Sequence, residues 1–136
     1  MPDIAYTTIL PDGWPRARGF AQAVMARGSS SIRISGQLGK EPGQAVSASA
    51  DMGAQWRLAM ANIVTVLKAA GAEPKHVVML RAYVTDMAAF NRSGAAIGEA
   101  WAESFGKHFP AMTLVQVSGL VDPHAQVEIE AEAILP

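Results

Sequence analysis

No cysteine occurs among the 136 residues, which excludes disulfide frameworks, thiolate nucleophiles and thiolate metal ligands. Charge is also scarce. Only 17% of the residues are charged, the formal net charge is −1, and Lys and Arg are spread evenly. Without a basic stripe to neutralise a run of phosphates, nucleic acid is not an expected ligand. No apolar run approaches the roughly 18 residues of a membrane span. Met1-Pro2-Asp3-Ile4 places an acid where a signal peptide needs Lys or Arg, so a cytoplasmic protein with no membrane association is the expectation. The chain has no Gly-x-x-x-x-Gly-Lys-Ser/Thr loop, Gly-x-Gly-x-x-Gly fingerprint, His-Glu-x-x-His helix or Gly-x-Ser-x-Gly elbow. His76, His108 and His124 have no paired ligand spacing, read as ordinary surface histidines, and give no reason to expect a metal.

What is present fits one domain spanning residues 1–136. Half the residues are hydrophobic, apolar for so small a soluble unit, so part of the surface is expected to be covered by another copy of the chain. Residues 4–10 read as a strand, followed by a turn and loop at Pro11, Gly13 and Pro15; residues 20–26 and 31–35 read as two strands of a hairpin. Residues 36–45 read as loop. Met52, Trp56, Met60, Ile63, Leu67 and Ala70 recur every three to four residues and predict a helix that stops at Gly71. A central strand over 77–85 precedes a second helix, capped by Asp86, with Phe90, Ile97, Trp101 and Phe105 on its buried stripe. Strands over 112–118 and 126–134 end the chain. In the last of these Val127, Ile129, Ala131 and Ala133 alternate with Gln126, Glu128, Glu130 and Glu132, so one face meets helices while the other is wet or functional. The order β-β-β-α-β-α-β-β predicts an α+β fold in which two helices cover one side of a single sheet.

Several stretches then carry a resemblance. Ser35-Gly36-Gln37, Gln55 and Asn62 on the first helix, Tyr83-Val84-x-Asp86-x-x-x-Phe90, Phe109-Pro110-Ala111 and Val127-Glu128-Ile129-Glu130-Ala131 occur in the order and spacing of the Rid/YjgF proteins, which the chain resembles over almost its whole length. The resemblance implies a chorismate-mutase-like fold with a mixed sheet, a homotrimer, and ligand clefts between neighbouring subunits. Deaminases of that family hydrolyse reactive enamines and imines without a cofactor. In them Phe-Pro-Ala-Arg supplies an arginine whose planar fork grips the substrate carboxylate.

Here the sequence departs from the family. Met112 stands in place of that arginine and offers no donor. Leu114 stands where many deaminases have cysteine, on the same strand face as Met112, and Phe20 stands where they commonly place a tyrosine. The alternative for Met112 and Leu114 is simple packing in a trimer that has lost activity. Glu128 aligns with the glutamate that positions the attacking water and is the expected catalytic group, passing a proton between water and substrate. Ser35 and the backbone of Gly36 retain the polar part of the pattern. Trp14, in a Gly/Pro loop, is a candidate roof for the cleft. Arg18, two residues before Phe20, is the candidate cation for a ligand, and Arg81 is expected to form an ion pair with the Glu128/Glu130/Glu132 face.

These readings imply a cofactor-free hydrolase of the Rid type acting on a small planar enamine, imine or related amine, and not a typical 2-aminoacrylate deaminase. The rival reading is a ligand-binding or protein-stabilising trimer without turnover. Ribonuclease activity, suggested by names used for some family members, is least favoured by the low positive charge and the lack of a histidine pair.

Overall fold

A computed structural model describes residues 3–136; Met1 and Pro2 of the acidic N-terminus lie outside the described residues. Six strands and three helices follow in the order β1 (Ala5–Ile9), β2 (Ala23–Arg27), β3 (Ser30–Leu38), α1 (Met52–Ala69), β4 (Val77–Val84), α2 (Met87–Arg92), α3 (Gly94–Ser104), β5 (Ala111–Gln116) and β6 (Val127–Leu135), with a 3-10 turn at Pro74–His76 before β4.

The main sheet has the order β3-β6-β4-β5. β6 runs antiparallel to both neighbours, whereas β4 and β5 are parallel, so the sheet is mixed. The alternation read in β6 sets its two faces: Val127, Ile129, Ala131 and Ala133 are at most 2% exposed. They join Ile34, Leu80 and Ala82 against Trp56, Met60, Ile63 and Leu67 of α1 and Trp101 of α3 in one core. Among the described residues no helix is long and apolar enough to cross a membrane.

α1 forms where the periodicity placed it. Asp51 caps it, Oδ1 accepting from the Ala54 N–H at 2.9 Å, which satisfies one of the helix's orphan donors. The single second helix of the sequence reading is instead two. Asp86 caps α2 as expected, accepting from the Ala89 N–H at 3.1 Å. The Ser93 hydroxyl then donates back to the Ala89 carbonyl at 2.7 Å, and Gly94 follows, so the ladder breaks there and restarts as α3.

Two further expectations are corrected at the sheet. β2 does not form the expected hairpin with β3: β1 and β2 pair with each other as a separate antiparallel ribbon, from Ala5↔Arg27 to Ile9↔Ala23, while β3 pairs with β6 in the main sheet. One isolated parallel bridge, Ala21↔Ala111, links this region to the main sheet, with the Ala21 N–H donating to the Pro110 carbonyl at 3.0 Å. Pro110 has no N–H to return, so the ladder does not propagate. The stretch read as loop from Gly36 is strand as far as Leu38, because β3 crosses a register shift between Ile34 and Gln37 and continues beside β6.

Candidate functional site

The face of the main sheet turned away from α1 carries the charged residues. Tyr83 donates to Glu130 in a short hydrogen bond, and that bond raises the phenol's pKa above its ordinary value. Glu132 bridges Arg81, 3.2 Å from its Nη2, and Arg33, 3.3 Å from its Nε. Arg81 is thus an ion-pair member within a single chain. Glu128, the third glutamate of the strand, makes neither a hydrogen bond nor an ion pair with any described residue.

The position of Glu128 is set by the β3 bulge. A Cβ built on Gly36 would lie 2.4 Å from Glu128 Oε1, 2.6 Å from Cδ and 2.7 Å from Cγ, so the carboxylate lies directly over the glycine. Ser35 is exposed beside it, its carbonyl accepting from Gln37 Nε2 at 3.1 Å. Two amides of α1 pin this corner from beneath. Gln55, wholly buried, donates to the carbonyls of Ala50 and His124, both at 3.0 Å, and its Oε1 accepts from the Gln126 N–H at 2.7 Å, two residues before Glu128. Asn62 donates to the carbonyls of Leu38 and Lys40 at 3.2 and 2.8 Å, two and four residues after Gly36. Gly39 permits the clamp, since a Cβ there would meet the Gln55 backbone at 2.3 Å. The backbone on either side of Ser35, Gly36 and Glu128 is therefore pinned, and the three residues meet at one corner.

The other candidates lie elsewhere in the chain. Met112 and Leu114 pair in register with Leu80 and Ala82, share their helix-side face, and pack half-buried against the main core. They do not meet Glu128, which is on the opposite face. Arg18 and Phe20 line a cavity of about 820 Å³ bounded by Tyr6, Ile9 and Leu10 of the ribbon, by Arg16, and by Lys107, His108 and Phe109 of the loop before β5. Trp14 is 55% exposed and does not line this cavity. One chain thus gathers three of the candidates at the bulge, two in the cavity and two on β5.

Sequence reasoning missed Arg16, Lys107, Phe109 and Tyr6 as cavity residues, because nothing in local spacing joins a loop near residue 16 to one near residue 107. The histidines also differ from expectation. His76 is fully buried, its Nδ1 accepting from the Glu73 N–H at 3.0 Å across the 3-10 turn. His108 is half-buried with Nε2 2.8 Å from the Val77 carbonyl, and burial lowers its pKa below the usual histidine value. Only His124 is exposed.

A four-stranded mixed sheet backed on one side by helices, with its last strand carrying carboxylates on the other, defines a small α+β domain of a known kind. Residues 15–135 match the family described as Endoribonuclease L-PSP. The chain is 33% identical to protein DfrA of Myxococcus xanthus over 135 residues, 98% of this chain and 99% of that one. It is 32% identical to the human 2-iminobutanoate/2-iminopropanoate deaminase over 115 residues, 85% of this chain and 79% of that one. Its fold matches the crystal structure of YyfB from Yersinia pestis, described as a Rid family protein of unknown function, with a TM-score of 0.84 and 32% identity, covering 96% of this chain and 98% of that one. The chain belongs to the Rid/YjgF family.

Proposed function

We propose that the protein is a cofactor-free hydrolase of small planar imines or enamines, with Glu128 as its general base, working in a cleft between subunits of a homotrimer. The observation that carries this reading is the state of Glu128: alone among the three glutamates of β6 it has no partner among the described residues, yet it lies directly over Gly36 on backbone that Gln55 and Asn62 pin. A solvated surface carboxylate needs no such corner built beneath it. A carboxylate that must orient water needs both a fixed position and free lone pairs.

The chemistry balances without a metal or redox partner. A water beside Glu128 gives a proton to the carboxylate as its oxygen bonds to the imine carbon, and the C=N electron pair moves to nitrogen, which is protonated. The C–N bond of the resulting carbinolamine then breaks, its electron pair going to nitrogen, which takes a proton from Glu128 as the hydroxyl returns one to the carboxylate, so imine plus water becomes carbonyl plus ammonia. An enamine enters the same path after protonation at carbon. Ser35 and the Gly36 backbone supply polar groups near the reacting atoms.

In the trimer, Phe20 from a neighbouring subunit would complete the cleft and Trp14 would roof it, with half-buried Met112 and Leu114 reaching it only around the edge strand β5. These apolar side chains favour a flat, apolar substrate over the small imino acids of the deaminases. Burying about 100 Å² of ligand carbon contributes roughly 2.5 kcal/mol, which offsets much of an ion pair lost at position 112. The test is ammonia release from a panel of imines and enamines generated in situ, ranging from 2-iminopropanoate to aryl-substituted imines. Release that is fastest for aryl members supports the reading; a chain that binds them but releases no ammonia is a ligand-binding trimer instead.

A further inference from the structure

The cavity described above is unusual in its charge. Its fourteen lining residues include Arg16, Arg18 and Lys107 and no Asp or Glu, in a chain whose acids outnumber its Lys and Arg by twelve to eleven. Four of the eight cations outside the cavity pair with acids, Arg33 and Arg81 with Glu132, Arg57 with Glu99 and Glu103, and Lys75 with Asp3 and Glu73, so what sets the cavity apart is the gathering of three cations with no acid beside them. Arg16, Arg18 and Lys107 form no ion pair with any described residue. His108, its pKa lowered by burial, adds a polar wall and no charge at neutral pH.

Between the cations the wall is apolar and aromatic. Ile9, Leu10, Phe20 and Phe109 are 42%, 47%, 38% and 41% exposed, large side chains left facing a concavity instead of a core. Phe109 is held from behind: its ring stacks on buried Trp101 with centroids 5.7 Å apart and planes 12° from parallel. Trp101 Nε1 in turn donates to the His108 carbonyl at 3.0 Å, and the His108 ring is tied to the Val77 carbonyl. The Ala21 N–H bond to the Pro110 carbonyl holds Phe20 beside the same loop. Such a wall needs little ordering when a ligand arrives.

We propose that this cavity binds a planar conjugated carboxylate, its unsaturated body against Phe20 and Phe109 and its anionic group among Arg16, Arg18 and Lys107. The cavity falls within the range of small-molecule sites, about 300 to 1,000 Å³. Guanidinium groups match the planar fork of a carboxylate, and aromatic faces match a flat body. Guanidinium groups fit phosphate as well as carboxylate, so adenosine monophosphate is the competing ligand, but no helix N-terminus among the described residues lines the cavity to add backbone donors for it. The site deepens the hydrolase reading, on which it rests for turnover but not for binding.

Calorimetry with cinnamate, cinnamamide, acetate and adenosine monophosphate tests it on the full chain. Cinnamate is expected to bind at one site per chain, with cinnamamide and acetate at least about tenfold weaker, because the amide lacks the charge and acetate lacks the body. The double variant Arg18→Gln/Lys107→Gln, altering two exposed side chains, is expected to keep the wild-type melting temperature and to weaken cinnamate about tenfold or more. Equal affinity for cinnamate and its amide, unchanged binding by the double variant, or tight binding of adenosine monophosphate without cinnamate each overturns the proposal. Ammonia release by the wild-type protein separates the two claims. Cinnamate binding by a wild-type protein that turns over no imine leaves the site standing and sinks the hydrolase; turnover of uncharged imines with no cinnamate binding does the reverse.

Discussion

Gly36 and Glu128 are so close that one methyl group added at residue 36 would lie 2.4 Å from Glu128 Oε1. Gly36 is not among the glycines with positive φ, so its backbone accepts a side chain, and the nearest clashes are all with the Glu128 side chain. Gly36→Ala is therefore expected to fold, because the glutamate side chain can swing away, and to fail in catalysis, because it must. Melting should shift by no more than about 5 °C, while turnover falls roughly tenfold to hundredfold from misplacement of the base. Thermal melts read beside ammonia release check both, and an alanine variant with unchanged turnover would show that the corner is not the site.

Met112 lies half-buried on the helix side of β5 with no donor to offer a carboxylate. Imino acids such as 2-iminopropanoate should be poor substrates, since a buried carboxylate facing Met112 lacks roughly 2 to 5 kcal/mol of charged partner. Rates at least about a hundredfold below those of an arginine-bearing relative are expected, by the same reckoning. Met112→Arg should raise activity on these acids. Wild-type rates matching the relative would mean that the cations of the cavity already serve the small acids.

The sheet face bearing Met79, Arg81, Tyr83 and the three glutamates has no helix over it, and Val115 on the edge strand is 41% exposed. Three copies packed on these faces would cover them. Analytical ultracentrifugation at micromolar concentration is expected to give about three times the mass of one chain. A stable monomer would leave Glu128 without a cleft.

His108 sits with Tyr6 and Phe105 at ring centroid distances of 5.1 and 6.4 Å, and burial holds its pKa below the ordinary 6.5 despite the hydrogen bond to Val77. Between the lowered pKa and 6.5 the unfolded chain binds more protons than the folded one, so stability rises with pH through that window. The contribution is complete above 6.5 and is lost as pH falls through the folded-state value. Melting temperature should fall on acidification from about pH 7 to about pH 5, and His108→Gln should flatten the slope. Parallel curves for the two proteins would assign the loss to other groups.

What was legible in the sequence followed from period. The strict alternation of β6 and the three-to-four spacing of α1 gave both elements and the buried face of each, because burial of one face leaves a repeating trace. Irregularities left none. The break at Ser93 depends on one hydroxyl reaching back to Ala89, and the bulge at Ser35 and Gly36 depends on β6 lying alongside. Glu128 was singled out by resemblance, but its lack of a partner became visible only once Glu130 had found Tyr83 and Glu132 had found Arg33 and Arg81. The cavity was the least legible, since Arg16 and Arg18 meet Lys107 across some ninety residues of chain.

The central claim is that Glu128 moves the proton in hydrolysis, and the measurement closest to it is ammonia release by Glu128→Gln on the imine that the wild-type protein turns over fastest, with melting and ligand affinity recorded on the same preparation. Glutamine keeps the size of the side chain and removes the base. A loss of about a hundredfold or more in rate is expected, with melting temperature and cinnamate affinity unchanged. A variant that hydrolyses the imine at the wild-type rate would contradict it.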